Sequence, residues 1–109
     1  MANNLILVGG KPLMNYVTAV VMQFTTRSAS SVTVRSRGKF ISRAVDVVEV
    51  VRNRFLKNQI KIDDISIGSE EFENKDGRKI QVSTIDITLA SADGIAEEGA
   101  VESAKTEVK

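Results

Sequence analysis

Two long segments rich in β-branched residues, joined by a four-residue turn, restrict the possible folds more than any other part of the sequence. Residues 60–72 and 78–89 carry repeated Ile, Val and Thr, and positions 74–77 read Asn-Lys-Asp-Gly. These turn residues favour a tight reversal, so the segments predict one long antiparallel hairpin. The apolar alternation changes phase within each arm. That change predicts either a bulge or arms that bury opposite faces in different places, as at a subunit interface.

The first half of the chain predicts two units of a strand followed by a helix. Residues 5–8 form a short apolar run before two glycines, and Pro12 suits the first position of a helix whose apolar residues recur at spacings of three and four. Residues 31–37 alternate as a second strand. The second helix has an apolar stripe at Ile41, Ala44, Val45, Val48, Val51 and Phe55. The predicted fold is α+β: a two-layer α/β sandwich of order βαβαββ, with both helices on one face of a four-stranded mixed sheet and a long C-terminal hairpin.

Composition excludes several classes of protein. The 109 residues, of which 42% are hydrophobic, suffice for one domain. No apolar run approaches the roughly 18 residues that span a bilayer, and the N-terminus has no signal-peptide pattern, which predicts an intracellular, soluble protein. Because the chain has neither Cys nor His, it lacks disulfides, thiol nucleophiles and the commonest metal ligand. We therefore predict no metal, no cofactor and no enzymatic activity.

Charge is distributed unevenly along the chain. Residues 1–45 contain six cations and no acid, although the whole chain has a net charge of only +1. The six are Lys11, Arg27, Arg35, Arg37, Lys39 and Arg43. This asymmetry predicts an electropositive region that binds polyanions, with nucleic acid favoured over an acidic membrane surface. The alternative is an ordinary solvated surface, since charged residues are mostly exposed in all folds.

Four of these cations lie close together in the sequence. Arg35 and Arg37 would share one face of a strand, and Lys39 and Arg43, four apart, would share one face of the following helix. Like charges at that helical spacing cost about 0.2–0.5 kcal/mol per pair. Four cations converging on one turn therefore indicate an anionic partner.

The end of the chain has a different character. Residues 91–109 contain five acids and two bases among small residues, a net charge of −3 that leaves +4 on residues 1–90. We predict that residues 1–90 form the nucleic-acid-binding domain and that residues 91–109 are a disordered acidic tail, because the tail has little apolar surface to bury. A solubilising role is favoured for the tail, and competition with nucleic acid for the basic face is the alternative.

Several ordered motifs resemble a known family. The segments GGKPLMNYV at 9–17, RGKFISRAVD at 37–46 and VRNRF at 51–55 closely resemble the Alba family of archaeal chromatin proteins. Further matches at 67–70, 76–78 and 82–85 continue the pattern in the right order. The resemblance covers about residues 4–89.

The resemblance implies a homodimer of βαβαββ subunits that binds double-stranded DNA, and in many members RNA, with little sequence preference. It implies a cytoplasmic protein that coats or condenses the chromosome, with no membrane partner. By position, the resemblance implies that the nucleic acid is lined by Lys11, Asn15, Tyr16, Arg37, Lys39 and Arg43, with Arg78 at the hairpin tip. Arg35 and Gly38, from the same cationic strand end and turn, complete the predicted nucleic-acid-binding set. Phe55 matches an aromatic position through which relatives join dimer to dimer along DNA, and a place in the core is the equal alternative.

One departure from the family pattern concerns regulation. Members often carry two adjacent lysines before the proline, a site tied to acetylation, whereas here Gly10 precedes Lys11. Lys11 is thus the candidate acetylation site, and regulation by acetylation is left open. Gly10 also leaves the N-terminal amides of the helix accessible to a phosphate.

Three other functions remain as alternatives. The protein could act mainly on RNA, as a subunit of an RNA-processing complex. An enzyme could pair Lys11 with Asp46 or Glu49, although lysine is a poor general base unless it is buried. A module for oligomerisation or for a small ligand is the third alternative.

Overall fold

The computed structural model describes residues 4–92. The elements are β1 (Leu5–Leu7), α1 (Leu13–Thr25), β2 (Ser31–Arg37), α2 (Ile41–Val50), β3 (Ile60–Glu73) and β4 (Lys79–Ser91). A 3₁₀ turn at Gly38–Phe40 precedes α2, and a π-helical turn at Val51–Phe55 follows it. The predicted order βαβαββ is confirmed. Residues 93–109, which make up most of the predicted acidic tail, lie outside the described residues.

The four strands form one mixed sheet in the order β1-β2-β4-β3. β1 runs parallel to β2, and the remaining neighbours are antiparallel. Val34 lies opposite Ile87, and Ile87 lies opposite Ile65, so these side chains share one face of the sheet. Both helices pack on that face, which confirms the two-layer sandwich.

A valine-rich core fills the space between the helices and the sheet. Its fully buried members include Val17, Val20, Val32, Val34, Val47, Val48, Val51 and Leu89. Each of these side chains contributes about 1.5–3 kcal/mol by leaving water. In the part of the chain that the structure describes, no helix is long and apolar enough to cross a bilayer.

The predicted stripe of α2 is correct in part. Val48 and Val51 are buried as expected, whereas Val45 is 42% exposed and Phe55 is 46% exposed. Val47, which the stripe omitted, is fully buried. α2 contacts α1 as well as the sheet, so it buries a wider arc than a single-sided stripe. Phe55 lies in the π-helical turn, where the α-helical spacing that defines the stripe no longer applies.

Two boundaries near the helix starts also differ from the sequence prediction. α1 begins at Leu13, one residue later than predicted. Pro12 is therefore the N-cap, with an extended ψ of 141°, and not the first helical residue. Lys39 lies in the 3₁₀ turn before α2. Lys39 and Arg43 therefore do not occupy the i and i+4 positions of one α-helix, and the predicted repulsion at that spacing does not apply.

The hairpin explains both changes of phase. The β3–β4 register shifts between Ile62 and Asp64, which confirms a bulge in β3. β4 pairs without a shift, and there Val82 lies on the opposite face from Ile87, so the second change of phase is a change of face. From position 63 onward every β3 residue is exposed, and the molecule extends 52 Å along its longest axis. The hairpin thus projects beyond the helices as an arm.

The tip of the arm closes as the Asn-Lys-Asp-Gly motif predicted. The Asn74 side-chain oxygen accepts hydrogen bonds from the backbone N–H groups of Asp76 and Arg78, at 2.9 and 3.0 Å. Gly77 has φ +79°, a left-handed conformation that favours glycine. This local network fixes the direction in which the tip leaves the sheet.

Candidate nucleic-acid interface

The loop between β1 and α1 and the turn between β2 and α2 lie together at one end of the molecule. Because β1 and β2 are parallel, both strands end at the same edge of the sheet. The Val8 N–H donates to the Arg35 carbonyl oxygen at 2.9 Å, and the buried Ser36 hydroxyl donates to the Val8 carbonyl oxygen at 2.9 Å. These two bonds extend the β1–β2 pairing into the loop and hold it in place.

Arg43 joins the loop to α2. Its Nε donates to the Gly9 carbonyl oxygen at 3.1 Å, and its Nη2 donates to the Lys11 carbonyl oxygen. One guanidinium therefore holds two carbonyl groups of the β1–α1 loop, as the rigid fork of arginine allows. Arg43 was predicted to face nucleic acid, and in this structure two of its three guanidinium nitrogens donate to the protein backbone.

Tyr16 holds the same loop from the other side. Its hydroxyl oxygen accepts the backbone N–H of Lys11 at 3.0 Å, and its partly buried ring packs against the core. The backbone of Lys11 is thus fixed both by Tyr16 and by Arg43. Its side chain is exposed, as is the neighbouring Asn15 in the first turn of α1. The arrangement presents one lysine and one amide at a rigid edge.

The turn after β2 presents a second lysine. Gly38 has φ +61°, and a Cβ atom at this position would lie 3.4 Å from Val82 Cγ1, so glycine suits both the conformation and the close approach. The Lys39 ammonium lies 5.4 Å from the centroid of the Phe40 ring, within the range of a cation–π contact, and the side chain is exposed. Lys39 therefore adds an accessible positive charge beside the loop of Lys11.

Arg35 and Arg37 share one face of β2, as predicted, and it is the face away from the helices. Arg35 forms a two-pronged ion pair with Asp86, directly opposite on β4, with Nε to Oδ1 at 2.8 Å and Nη2 to Oδ2 at 2.9 Å. These hydrogen bonds raise the pKa of Arg35 and lower the pKa of Asp86 below its ordinary value of 3.8. Two of the three nitrogens of the Arg35 guanidinium therefore donate to Asp86.

Arg37 is paired as well. Its Nη1 lies 2.6 Å from Oε1 of Glu70 on β3, and its guanidinium carbon lies 5.8 Å from the centroid of the Phe72 ring. The predicted group of four converging cations is therefore divided. Two of them meet carboxylates, Arg43 holds backbone carbonyls, and Lys39 has no ion pair within residues 4–92.

Sequence reasoning missed Asp86, Glu70 and Phe72. Asp86 and Glu70 lie 51 and 33 residues from their arginine partners. The first 45 residues contain no acid, so nothing in the local sequence indicated this pairing. The acidic partners lie in the hairpin, which folds back beside β2. A predicted register between β2 and the hairpin would have been the signal needed to find it.

The chain is similar to known proteins over most of its length. The Alba family model matches residues 4–69, which is more than half of the chain. The chain belongs to the Alba family. It is 48% identical over 87 residues to the DNA/RNA-binding protein Alba of Methanococcus maripaludis, covering 80% of this chain and 97% of that one. The corresponding protein of Methanocella arvoryzae is 53% identical over 87 residues, covering 80% of this chain and 88% of that one.

A solved Alba structure shows the same fold. Alba from Thermoplasma volcanium superposes with a TM-score of 0.74 at 44% sequence identity, covering 80% of this chain and 99% of that one. The two-layer architecture and the long hairpin are thus those of the Alba family.

The predicted site residues fall into three groups. Lys11, Asn15, Lys39 and Arg78 have exposed side chains with no ion pair in the described part of the chain. Tyr16 and Arg43 hold the loop of Lys11, and Gly38 shapes the neighbouring turn. Arg35 and Arg37 are paired to carboxylates. The unpaired cations of this predicted set lie at the edge of the body and at the hairpin tip.

The remaining expectations concern Phe55 and catalysis. Phe55 is nearly half exposed, so it is not part of the buried core, and an oligomer contact at this Alba position stays a prediction. Glu49 pairs with Arg52 at 2.7 Å and accepts a hydrogen bond from Asn53 at 3.2 Å. The enzymatic alternative would require a contact between Lys11 and Asp46 or Glu49. Within residues 4–92, no hydrogen bond or ion pair joins Lys11 to either residue.

Proposed function

We propose that the protein binds double-stranded DNA, and also RNA, with little sequence preference, and that it coats or compacts the chromosome with which it associates. The observation that carries the proposal is the rigid edge at which Arg43 fastens the Lys11 loop to α2, close to Lys39. The relatives described above are named DNA/RNA-binding proteins, which supports both nucleic acids.

Binding proceeds mainly by neutralisation of phosphates. Lys11 and Lys39 meet the backbone at the body, while the arm carries Arg78 along the duplex toward the minor groove. Lysine ammonium groups contact phosphates as point charges and carry little information about base sequence. Acetylation of Lys11 would remove one of these charges. This mechanism accounts for general binding to duplexes.

The test is a salt series on unrelated duplexes. If six to ten phosphates are contacted, affinity falls by about 10³- to 10⁵-fold between 50 and 200 mM salt. Fluorescence anisotropy on several labelled duplexes of equal length measures both the salt slope and the sequence preference. A shallow slope, or one strongly preferred duplex, would contradict the proposal.

The alternative function is as mainly an RNA-binding protein or a subunit of an RNA-processing complex, and the names of the same relatives support binding to RNA. Competition between RNA and DNA duplexes of matched sequence, followed by crosslinking in cells, separates the two. DNA recovered at chromosome-wide sites supports the chromosomal role, and recovery of RNA alone supports the alternative.

We also propose that the functional unit is a homodimer. Ile65 is 53% exposed and Ile67 is 81% exposed, and both lie on the helix-bearing face of the sheet beyond the point where the helices cover it. Burial against a second copy would contribute about 1–2.5 kcal/mol for Ile67 and about half of the full-burial value of roughly 1.5–3 kcal/mol for Ile65, which is already partly covered. Phe55 supplies the contact between dimers along DNA. In this proposal residues 1–90 form the binding unit, and residues 91–109 are a separate acidic tail.

Sedimentation of an Ile67→Asp variant tests the dimer. We expect a monomer, because a carboxylate at this position would have to be buried against the second copy. Leu7→Asp is the matched control, since Leu7 is also exposed but lies on the opposite face of the sheet. A dimeric Ile67→Asp variant would contradict the proposed surface.

A further inference from the structure

We infer that Glu70 competes with nucleic-acid phosphates for Arg37 and thereby sets the affinity of the binding surface. This inference rests on the proposed function and concerns the regulation of the same surface. It assigns a role to an acidic residue at a basic site: Glu70 engages Nη1 of the Arg37 guanidinium in the free protein, and a phosphate that takes this nitrogen displaces the carboxylate.

The geometry holds Arg37 between two groups. Glu70 Oε1 lies 2.6 Å from Nη1, and the Phe72 ring lies 5.8 Å from the guanidinium carbon. The side chains of Arg37 and Glu70 are 59% and 50% exposed. A phosphate can therefore reach the guanidinium, and it meets the carboxylate there.

The comparison with Arg35 shows why the Arg37 pair can exchange its partner. Arg35 lies directly opposite Asp86 and engages both carboxylate oxygens. Arg37 instead lies opposite Thr84 on β4, and its carboxylate partner Glu70 is on β3, the next strand beyond. Arg37 therefore reaches across β4 and engages only one oxygen of Glu70. A single contact between exposed charges is weak, whereas a two-pronged fork is geometrically specific. Arg37 is therefore the arginine of β2 that a phosphate can recruit.

Glu70 cannot withdraw far when a phosphate replaces it. Its backbone is paired with Val82 in the β3–β4 ladder, so only the side chain can turn away. The displaced carboxylate remains beside the incoming phosphate and repels it. Glu70 therefore reduces the favourable free energy of phosphate binding at Arg37 in two ways: its ion pair with Arg37 is lost, and its carboxylate repels the phosphate. Both effects fall as salt rises, because exposed charges are screened.

The neighbouring glutamate provides a matched control. Glu71 is the next residue on β3, is exposed, and lies opposite Gln81 on the other face of the arm. Glu70→Gln and Glu71→Gln change the net charge equally and at almost the same place. Only the first change releases Arg37.

The experiment measures binding of a labelled DNA duplex to the full chain by anisotropy at low salt. We expect Glu70→Gln to bind about two- to five-fold more tightly than Glu71→Gln, with a gap that narrows as salt is raised. In an Arg37→Gln background the same pair of changes should give equal affinities, because the guanidinium at issue is gone. Thermal unfolding of each variant confirms that it is folded.

Two results would overturn the inference. Equal affinities of Glu70→Gln and Glu71→Gln in the presence of Arg37 would show that Glu70 does not compete. Weaker binding by Glu70→Gln would show that Glu70 positions Arg37 for the phosphate instead. In either case a wild-type chain that binds the duplex with a steep salt slope leaves the proposed function standing. A wild-type chain that binds neither DNA nor RNA would overturn both the inference about Glu70 and the proposed function.

Discussion

Two regions of the molecule carry positive charge: the edge of the body, where the Lys11 loop and the turn of Lys39 lie, and the open face of the sheet, which is the face away from the helices. They differ in whether the cations are paired with carboxylates. At the edge, Lys11 and Lys39 are exposed and have no ion pair within residues 4–92, beside a loop that Arg43 and Tyr16 hold in place. On the open face, Arg35 and Arg37 are paired to carboxylates. Arg37 and Lys39 are only two positions apart in the sequence, so proximity along the chain does not decide which cations are paired.

The difference comes from what lies opposite each residue. A residue in the middle of a sheet has a cross-strand neighbour on the same face, and β4 supplies Asp86 to Arg35. A residue in a loop at the sheet edge has no such neighbour, so its charge stays available for solvent or for a ligand. Loops held rigidly by a scaffold therefore suit binding, whereas charges along a strand tend to be compensated.

The largest expected effect comes from removing the edge lysines. Lys11→Gln with Lys39→Gln should weaken duplex binding at least about ten-fold and reduce the salt slope by roughly 1.8, since two phosphate contacts are lost. The unfolding temperature should remain unchanged, because neither side chain has an ion pair in the described part of the chain. Anisotropy across a salt series and calorimetry measure the two quantities.

Two controls sharpen that comparison. Lys57→Gln with Lys61→Gln removes the same charge at the opposite end of the sheet and should weaken binding far less. Arg35→Gln with Asp86→Asn removes a compensated pair and should leave affinity within about two-fold of wild type. If this last variant lost as much affinity as the edge variant, the distinction between the two regions would be wrong.

Next in size is the effect of Arg43, which tests whether this residue positions the loop or contacts phosphate. Arg43→Lys keeps the charge but lacks the rigid fork that presents a separate nitrogen to each carbonyl group, so the free energy of unfolding should fall by about 1 kcal/mol. Affinity should fall about three-fold, with the salt slope unchanged. Arg43→Gln should behave in the same way. Full affinity in Arg43→Lys, together with a slope lowered by about 0.9 in Arg43→Gln, would identify a direct phosphate contact instead.

The smallest effect concerns the stability that the open-face pair supplies. Because the folded protein lowers the pKa of Asp86, the ion pair stabilises the fold above pH 3.8 and loses this contribution as the pH falls through the lowered value. Asp86→Asn should therefore destabilise by less than about 1 kcal/mol at neutral pH, and the difference from wild type should vanish in strong acid. Urea unfolding at both pH values measures this.

Asp64→Asn is the matched control for that experiment. Asp64 is an exposed aspartate on β3 without an ion pair in the described residues. Its replacement should not change stability at either pH. A loss for Asp86→Asn that persisted unchanged in acid would mean that the carboxylate charge is not what stabilises the pair.

Much of the fold followed from local patterns. The turn at 74–77, the short strand before two glycines and the helical spacing after Pro12 each predicted an element that the structure contains, because turn chemistry and apolar periodicity act over a few residues. The errors occurred where two elements meet. Val47 is buried because α2 packs against α1 as well as the sheet, and Phe55 is exposed where α2 gives way to a π-helical turn.

The candidate site was predicted less completely than the fold. Motif resemblance predicted Lys11, Lys39 and Arg78 as binding residues, and the side chains of all three are exposed. It also predicted Tyr16 and Arg43, and the structure shows that both form hydrogen bonds that hold the loop of Lys11. The motif did not predict these bonds, because a motif records which residues occur together, whereas a hydrogen bond depends on distances between loops that only packing sets.

The sequence by itself determined the order of elements, the family and the excess of positive charge in the first 45 residues, since these depend on residue identity and on short-range periodicity. Only the tertiary structure decided which of those charges are paired with carboxylates. The hairpin folds back along β2 in one register, and that register sets Asp86 opposite Arg35 and brings Glu70 within reach of Arg37. Electrostatic compensation depends on distance in space, and β2 and its carboxylate partners become neighbours only when the sheet forms.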